Sequence, residues 1–207
     1  MKVVIVSDTH RQHAQLGTLA GDVLIHCGDS ELGIHADDAE VERLDRWFGA
    51  QRFDLVLCIG GNHDFALQAR AAAAAPVLRH AVYLEDAAFV HRGVTFYGAP
   101  WVPELSSWAY YQPPAAIRDK WREIPAATDV LVTHSPPQGV LDRNSSGKSC
   151  GCPELMRRVA ELRPRLHCFG HVHASAGSVA IDGTTYVNAS VVDSRYRIAR
   201  PPREFSL

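Results

Sequence analysis

A layered α/β fold, with sheets covered by helices, is the class this chain predicts, and three observations carry the reading. Short apolar, β-branched runs at 2–7, 22–27 and 54–59 are continuous rather than alternating, as in strands buried on both faces. Segments with helical spacing lie between such runs, and the second half is richer in strands than the first. At 207 residues the chain is long enough for one well-buried domain, two small domains would strain the core, and no stretch reads as a linker. Residues 1–207 are therefore read as one domain.

The elements follow in order. Met1-Lys2 ahead of Val3-Val4-Ile5-Val6 could pass for a truncated signal peptide, but the run is too short and no cleavage site follows. It is read as the first buried strand. Residues 37–49 place Val41, Leu44, Trp47 and Phe48 at helical spacing, with acidic residues early in the segment. A second helix is expected over 65–75, its alanine run forming a tightly packed face. Residues 78–84, 88–91 and 94–97 read as short strands. The proline-containing stretch 99–114 carries Trp101, Trp108, Tyr110 and Tyr111 and is expected to be an ordered loop packed by aromatics. A helix over 115–124 and a buried strand over 129–133 come next, then a polar surface loop over 138–151. Residues 153–162 form an amphipathic helix with proline at its start. Strands at 166–169, 179–181 and 184–187 complete the pattern, and no internal repeat is present.

Composition narrows the function classes. The hydrophobic and charged fractions, 46% and 21%, are those of an ordinary soluble globular protein. A formal net charge of −2 gives no global case for a nucleic-acid polymer or an anionic membrane, so an anionic substrate must be attracted locally. No apolar run approaches the roughly 18 residues of a membrane span. Five cysteines, Cys27, Cys58, Cys150, Cys152 and Cys168, are odd in number and fit no disulfide framework, which points to a reducing, cytoplasmic setting. Cys150-Gly-Cys152 lacks the second pair that structural zinc requires and reads as a turn.

The chemistry is concentrated in seven side chains of metal-binding type, set in five clusters that each follow a strand-like run. They are Asp8 and His10, Asp29, Asn62, His134, and His171 with His173. Two carboxylates, one amide and four imidazoles, with no thiolate, suit divalent cations that accept oxygen and nitrogen together, Mn²⁺, Fe or Zn²⁺. Seven ligands exceed one tetrahedral ion and suit two ions sharing a carboxylate. Gly28 lets the chain turn so that Asp29 reaches the same sheet edge, and a carboxylate with two oxygens can bridge, the role given to Asp29. His26, inside a strand, reads as a core or supporting histidine. Asn62 offers a neutral oxygen, His63 beside it faces substrate as a proton donor or charge stabiliser, and Asp64 reads as the N-cap of the next helix.

In this order, Asp-x-His, Gly-Asp, Gly-Asn-His-Asp, a strand-terminal His and Gly-His-x-His resemble the calcineurin-like metallophosphoesterases, from Asp8 to His173. In detail the chain is similar to the branch of small metallophosphoesterase-domain-containing proteins, related to class III cyclic-nucleotide phosphodiesterases. LIHCGDSELG at 24–33, YGAPWVP at 97–103, HSPPQG at 134–139, GCPEL at 151–155 and TTYVNAS at 184–190 carry that likeness. The resemblance implies a four-layer αββα sandwich of two mixed sheets flanked by helices. It implies that Asp8, His10 and His173 hold one ion and Asn62, His134 and His171 a second. Asp29 and a water or hydroxide would bridge them, and His63 would be the catalytic histidine. Some vertebrate members lack the first histidine of the last motif; this chain has His171. Many members carry an acid three positions after the bridging aspartate to orient the catalytic histidine. Here that position is Leu32, so either Glu31 takes the role or His63 lacks the partner.

The function implied is hydrolysis of small phosphodiesters, cyclic nucleotides among them, by a dinuclear centre, often with Mn²⁺. A phosphomonoesterase or protein phosphatase on the same core is the nearest alternative, and a nucleotide-binding scaffold with weak activity a more distant one. Arg143 and Lys148 are candidates for gripping a substrate phosphate or ribose, weighed against ordinary solvated loop charges. Trp101 and Trp108 could stack on a base, with loop packing as the plainer expectation. Residues 195–203 read as a solvated terminal segment or a homodimer contact.

Overall fold

Alternate residues of the N-terminal strands face two different cores, and this alternation builds the layers. In a computed structural model that describes residues 1–31, 37–73 and 76–207, the chain forms fifteen regular elements besides two short 3₁₀ turns. They are β1 (Lys2–Val6), β2 (Val23–His26), α1 (Asp38–Gly49), β3 (Leu55–Cys58), α2 (Phe65–Ala72), β4 (Val82–Tyr83), β5 (Ala87–His91) and β6 (Val94–Ala99). There follow α3 (Pro114–Arg122), β7 (Val130–Thr133), α4 (Pro153–Leu162), β8 (Leu166–Phe169), β9 (Gly177–Ile181), β10 (Thr184–Asn188) and β11 (Arg203–Ser206). One sheet has the order β11-β1-β2-β3-β4, with β11 antiparallel and the rest parallel. The other has the order β5-β6-β7-β8-β10-β9, parallel from β6 to β10 and antiparallel at both edges.

Val3, Ile5, Val23, Ile25, Leu55 and Leu57 pack inward against Phe96, Val130, Val132, Leu166 and Val187 of the second sheet. Their neighbours Val4, Val6, Leu24 and Val56 face outward onto Val41, Leu44, Phe48 and Leu67 of α1 and α2. On the far side, Tyr97, Leu131, Phe169 and Tyr186 pack against Ile117, Trp121, Leu155 and Val159 of α3 and α4. A period of two thus places each central strand between two apolar layers, giving helices, sheet, sheet, helices. That is the four-layer αββα sandwich expected.

Several boundaries differ from the sequence expectations. Only Val82–Tyr83 of the expected strand 78–84 pairs, because the Asp45 carboxylate takes the amides of Arg79 and His80, at 2.8 and 2.9 Å, away from any ladder. Helix α2 ends at Ala72, and the last two residues of the expected helix lie outside the described residues. Segment 99–114 is an ordered loop, with Tyr110 buried and a bridge joining Val102 to Tyr111. The expected solvated end gives way after 202 to β11, an edge strand pairing Arg203 to Ser206 with β1. Its four residues alternate in exposure, too short a pattern to register without the partner that completes it.

The sheets close on each other at one edge. Ser7 donates its amide to Ala189 O at 3.0 Å, and Val191 donates to Ser7 O at 3.1 Å, joining the ends of β1 and β10. Strands β1, β2, β3, β7 and β8 all end at this shared edge.

Candidate metal centre

All seven predicted side chains converge at that edge. The ligand atoms of Asp8, His10 and His173 lie within 4.8 Å of one another, as do those of Asp29, His134 and His171, and those of His10, Asp29 and His63. Asn62 joins the second group, its Oδ1 at 3.1 Å from His134 Nε2 and 2.8 Å from His171 Nδ1. Asp29 Oδ2 stands between the groups, 3.8 Å from His10 Nε2 and 3.4 Å from His134 Nε2.

The loops that carry these residues are bent into conformations most side chains avoid. Asp8, His10, Asp29 and His171 have φ of 55°, 40°, 56° and 66°, in the left-handed region. Such positions cost on the order of 1–2 kcal/mol each and persist where surrounding bonds over-determine them. Here Asp8 donates its amide to Gly28 O at 2.9 Å and His10 to Asp29 O at 3.1 Å, so the turns after β1 and β2 zip together. The His171 amide donates to both oxygens of Asp8 at 3.1 Å, which ties the last cluster to the first. A side chain at Gly170 would collide with Ser7 and Asp8.

Asp64 holds the second turn. Its carboxylate accepts the amides of Asp29, Ser30, Glu31 and Gly61 and the Ser30 hydroxyl, between 2.7 and 2.9 Å. It occupies the N-cap position of α2 as expected, and its backbone carbonyl accepts the Gln68 amide at 3.1 Å, but its side chain makes no capping bond to that helix. The helix amides of Ala66 and Leu67 are instead accepted by Glu31, at 3.3 and 3.2 Å. Glu31 is thus committed to α2. The Nδ1 of His63 is buried without a hydrogen-bond partner among the described residues, and Leu32 lies outside them. What steadies His63 is packing: its ring meets Trp108 at 4.4 Å and His10 at 4.9 Å, and its amide donates to Asp29 Oδ1 at 2.8 Å.

The donor chemistry fits divalent cations. Nδ1 of His10 is 2.8 Å from Glu31 O, and Nδ1 of His134 is 2.8 Å from Cys27 O. Donation to these carbonyls turns each Nε2 toward the carboxylates, the usual orientation of ligating imidazoles, where a cation would take the place of any proton held there. Nε2 of His10 and Nε2 of His173 approach to 3.4 Å, near enough for both to ligate one cation.

Charges within the cluster are strongly coupled. Burial opposes ionisation of Asp29 and Asp8, yet the neighbouring His134 and His173 hold both carboxyls below their ordinary range. Burial likewise opposes the charge on His134, but Asp29 raises it to about 9. Burial, then the charge of His134, lowers His171 to about 4, and burial also lowers His63. Behind them His26 accepts the Gly28 amide at Nδ1, 3.2 Å away, so its Nε2–H donates to Thr9 Oγ1 at 3.0 Å. It supports the turn and is not among the clustered ligands.

A cavity of about 240 Å³ opens beside His171 and His173, bounded by Asn144, Ser145, Cys150 and Tyr196. Arg143 and Lys148 do not line it: the Arg143 guanidinium donates to Gly147 O at 2.8 Å, and Lys148 is exposed. Trp101 is turned away, its Nε1 donating to Asp86 at 2.6 Å. Tyr196 and the bracing role of Asp64 escaped the sequence reading; a tyrosine between arginines near the terminus has no spacing that signals either.

Two mixed sheets bearing carboxylates, imidazoles and an amide at their common edge define an α/β protein with a cluster of side chains that could hold divalent metals. The chain belongs to the calcineurin-like phosphoesterase family, whose model matches residues 1–175. It is 35% identical to the human metallophosphoesterase domain-containing protein 1 over 97% of this chain and 69% of that protein. It is 34% identical to the Caenorhabditis elegans UPF0046 protein C25E10.12 over its whole length and 81% of that protein. The crystal structure of TT1561 of Thermus thermophilus superposes with a TM-score of 0.60 at 12% identity, covering 90% of this chain and 88% of that one, a likeness of fold.

Proposed function

We propose that this phosphoesterase is a dinuclear phosphodiesterase acting on small diesters such as cyclic nucleotides. The observation that carries the dinuclear reading is the position of Asp29, one oxygen of which faces imidazoles of both ligand groups. Asp8, His10 and His173 would hold one cation and Asn62, His134 and His171 the other, with Asp29 within reach of both. Mixed oxygen and nitrogen donors favour Mn²⁺, with Fe and Zn²⁺ as alternatives. When bound, such ions neutralise phosphoryl charge and make water a competent nucleophile at neutral pH.

The protein's own groups do the rest. His63, whose proton affinity burial lowers, offers a ring N–H as a hydrogen bond to a phosphoryl oxygen, where charge builds during the reaction. The backbone bonds through Asp64 keep Asp29 and Asn62 in place, so little reorganisation remains at the moment of reaction. No lysine or arginine lines the adjoining cavity among the described residues. That favours a diester, which carries one negative charge, over a monoester dianion. Five unpaired thiols support placing the activity in the reducing cytoplasm.

Assays of bis(4-nitrophenyl) phosphate, 4-nitrophenyl phosphate and 2′,3′- and 3′,5′-cyclic nucleotides, with Mn²⁺, Fe²⁺ or Zn²⁺ added, test this reading. Faster turnover of diesters is expected. A monoester hydrolysed faster would overturn the diester assignment, and no turnover by protein holding two metals would overturn the enzymatic one.

A further inference from the structure

Tyr196 stands at the mouth of the ligand cluster in a conformation that costs the chain energy. Its φ is 58°, in the left-handed region where a bulky residue is uncommon. The turn around it is heavily bonded. Asp193 accepts the amides of Arg195 and Arg197 at 2.8 and 3.0 Å and the Arg197 guanidinium at 2.8 Å. The Tyr196 amide donates to Asp193 O at 3.0 Å, and Gln12 donates its side-chain amide to Tyr196 O. Glycine or asparagine would fit such a position with less strain, so the turn does not by itself call for a tyrosine.

The ring accounts for it. Tyr196 meets His10 at 4.8 Å, His173 at 5.3 Å and His63 at 6.2 Å, each edge to face. Even so the residue is 40% exposed and borders the 240 Å³ cavity. That volume is below the roughly 300 Å³ of the smallest drug-sized pockets, so it suits one ring-sized group. Lysine, arginine, aspartate and glutamate are all absent from its lining among the described residues. An uncharged flat group meets no opposing charge there, and an aromatic face is the surface that recognises it.

We propose that Tyr196 contacts the substrate, stacking on a flat, uncharged organic group of the phosphoester and setting the preference for esters that carry one. The proposal rests on the phosphoesterase reading above. It is tested by calorimetric titration of the Mn²⁺-loaded protein with phenylphosphonate and methylphosphonate, which share a head group and differ in the flat substituent. The wild type binds phenylphosphonate roughly tenfold tighter, the scale of one aromatic stacking contact. Tyr196→Phe keeps that gap. Tyr196→Ala, and Tyr196→Asn, which suits the left-handed turn, abolish it while methylphosphonate affinity and bound manganese stay unchanged. A gap that survives in these variants overturns the proposal. So does an equal loss of both affinities, which would mean the ring acts only by packing the imidazoles. Binding of neither phosphonate by the wild type also overturns the proposal, while the phosphoesterase reading stands or falls separately on the turnover assays above.

Discussion

Glu31 and Asp64 each cap the segment that carries the other. Asp64, at the start of α2, accepts the amides of residues 29 to 31, and Glu31, from that turn, accepts the amides of Ala66 and Leu67. The exchange locks the loop carrying Asp29 to the segment carrying Asn62 and His63.

Asp64→Asn turns one acceptor oxygen into a donor facing amides that are already donors. With five bonds to a buried carboxylate at stake, about 2–4 kcal/mol of stability is expected to go. Urea denaturation measures that loss, and Mn²⁺ titration should show weaker binding because Asp29 is no longer held. An unchanged midpoint would refute the bracing role.

The same pair makes stability depend on pH. Burial, then the charge of Asp64, raises Glu31 from 4.5 to about 8, and burial with Asp29 raises Asp64 from 3.8 to about 6. The folded chain therefore holds more protons here than the unfolded one. The stability this contributes is complete below about pH 4 and is lost as pH rises through about 8. Glu31→Gln resembles the protonated side chain. Its melting temperature relative to wild type should climb between pH 5 and 8; parallel curves would count against the shift.

Removing His63 and removing Asp29 should differ in kind. His63→Ala keeps the amide that binds Asp29, so two metals per chain are retained while turnover falls by roughly 10²–10⁴-fold. Asp29→Ala strips an oxygen ligand from both groups, and metal analysis should find the protein depleted. Loss of metal in the His63 variant would reassign that residue to the ligand set.

Gly170→Ala places a methyl group against Ser7 and the Asp8 carboxylate. Overpacking of this kind costs about 1–3 kcal/mol, and here it also displaces a ligand. Weaker binding of the first metal, read by manganese titration, should accompany a lower denaturation midpoint. Wild-type affinity would mean the loop moves freely.

Most of the sandwich was legible because its strands are apolar on both faces and its helices show their period. Val3 to Val6 read as buried whichever sheet they joined. Strand β11 and the true extent of β4 were not legible. An edge strand of four residues depends on β1 to pair with it, and residues 79 and 80 leave the ladder for Asp45, 34 and 35 positions away.

The chain's own chemistry determined the seven candidate ligands, since carboxylate, amide and imidazole at successive strand ends restrict what the site can hold, whatever the packing. The tertiary structure decided their neighbours. Glu31 lies two positions from Asp29 yet serves a helix 35 residues on, and Tyr196 reaches His10 across 186 positions because the end of β10 returns beside β1. Contacts of that span follow from how two sheets meet at an edge, and no local period in the sequence encodes them.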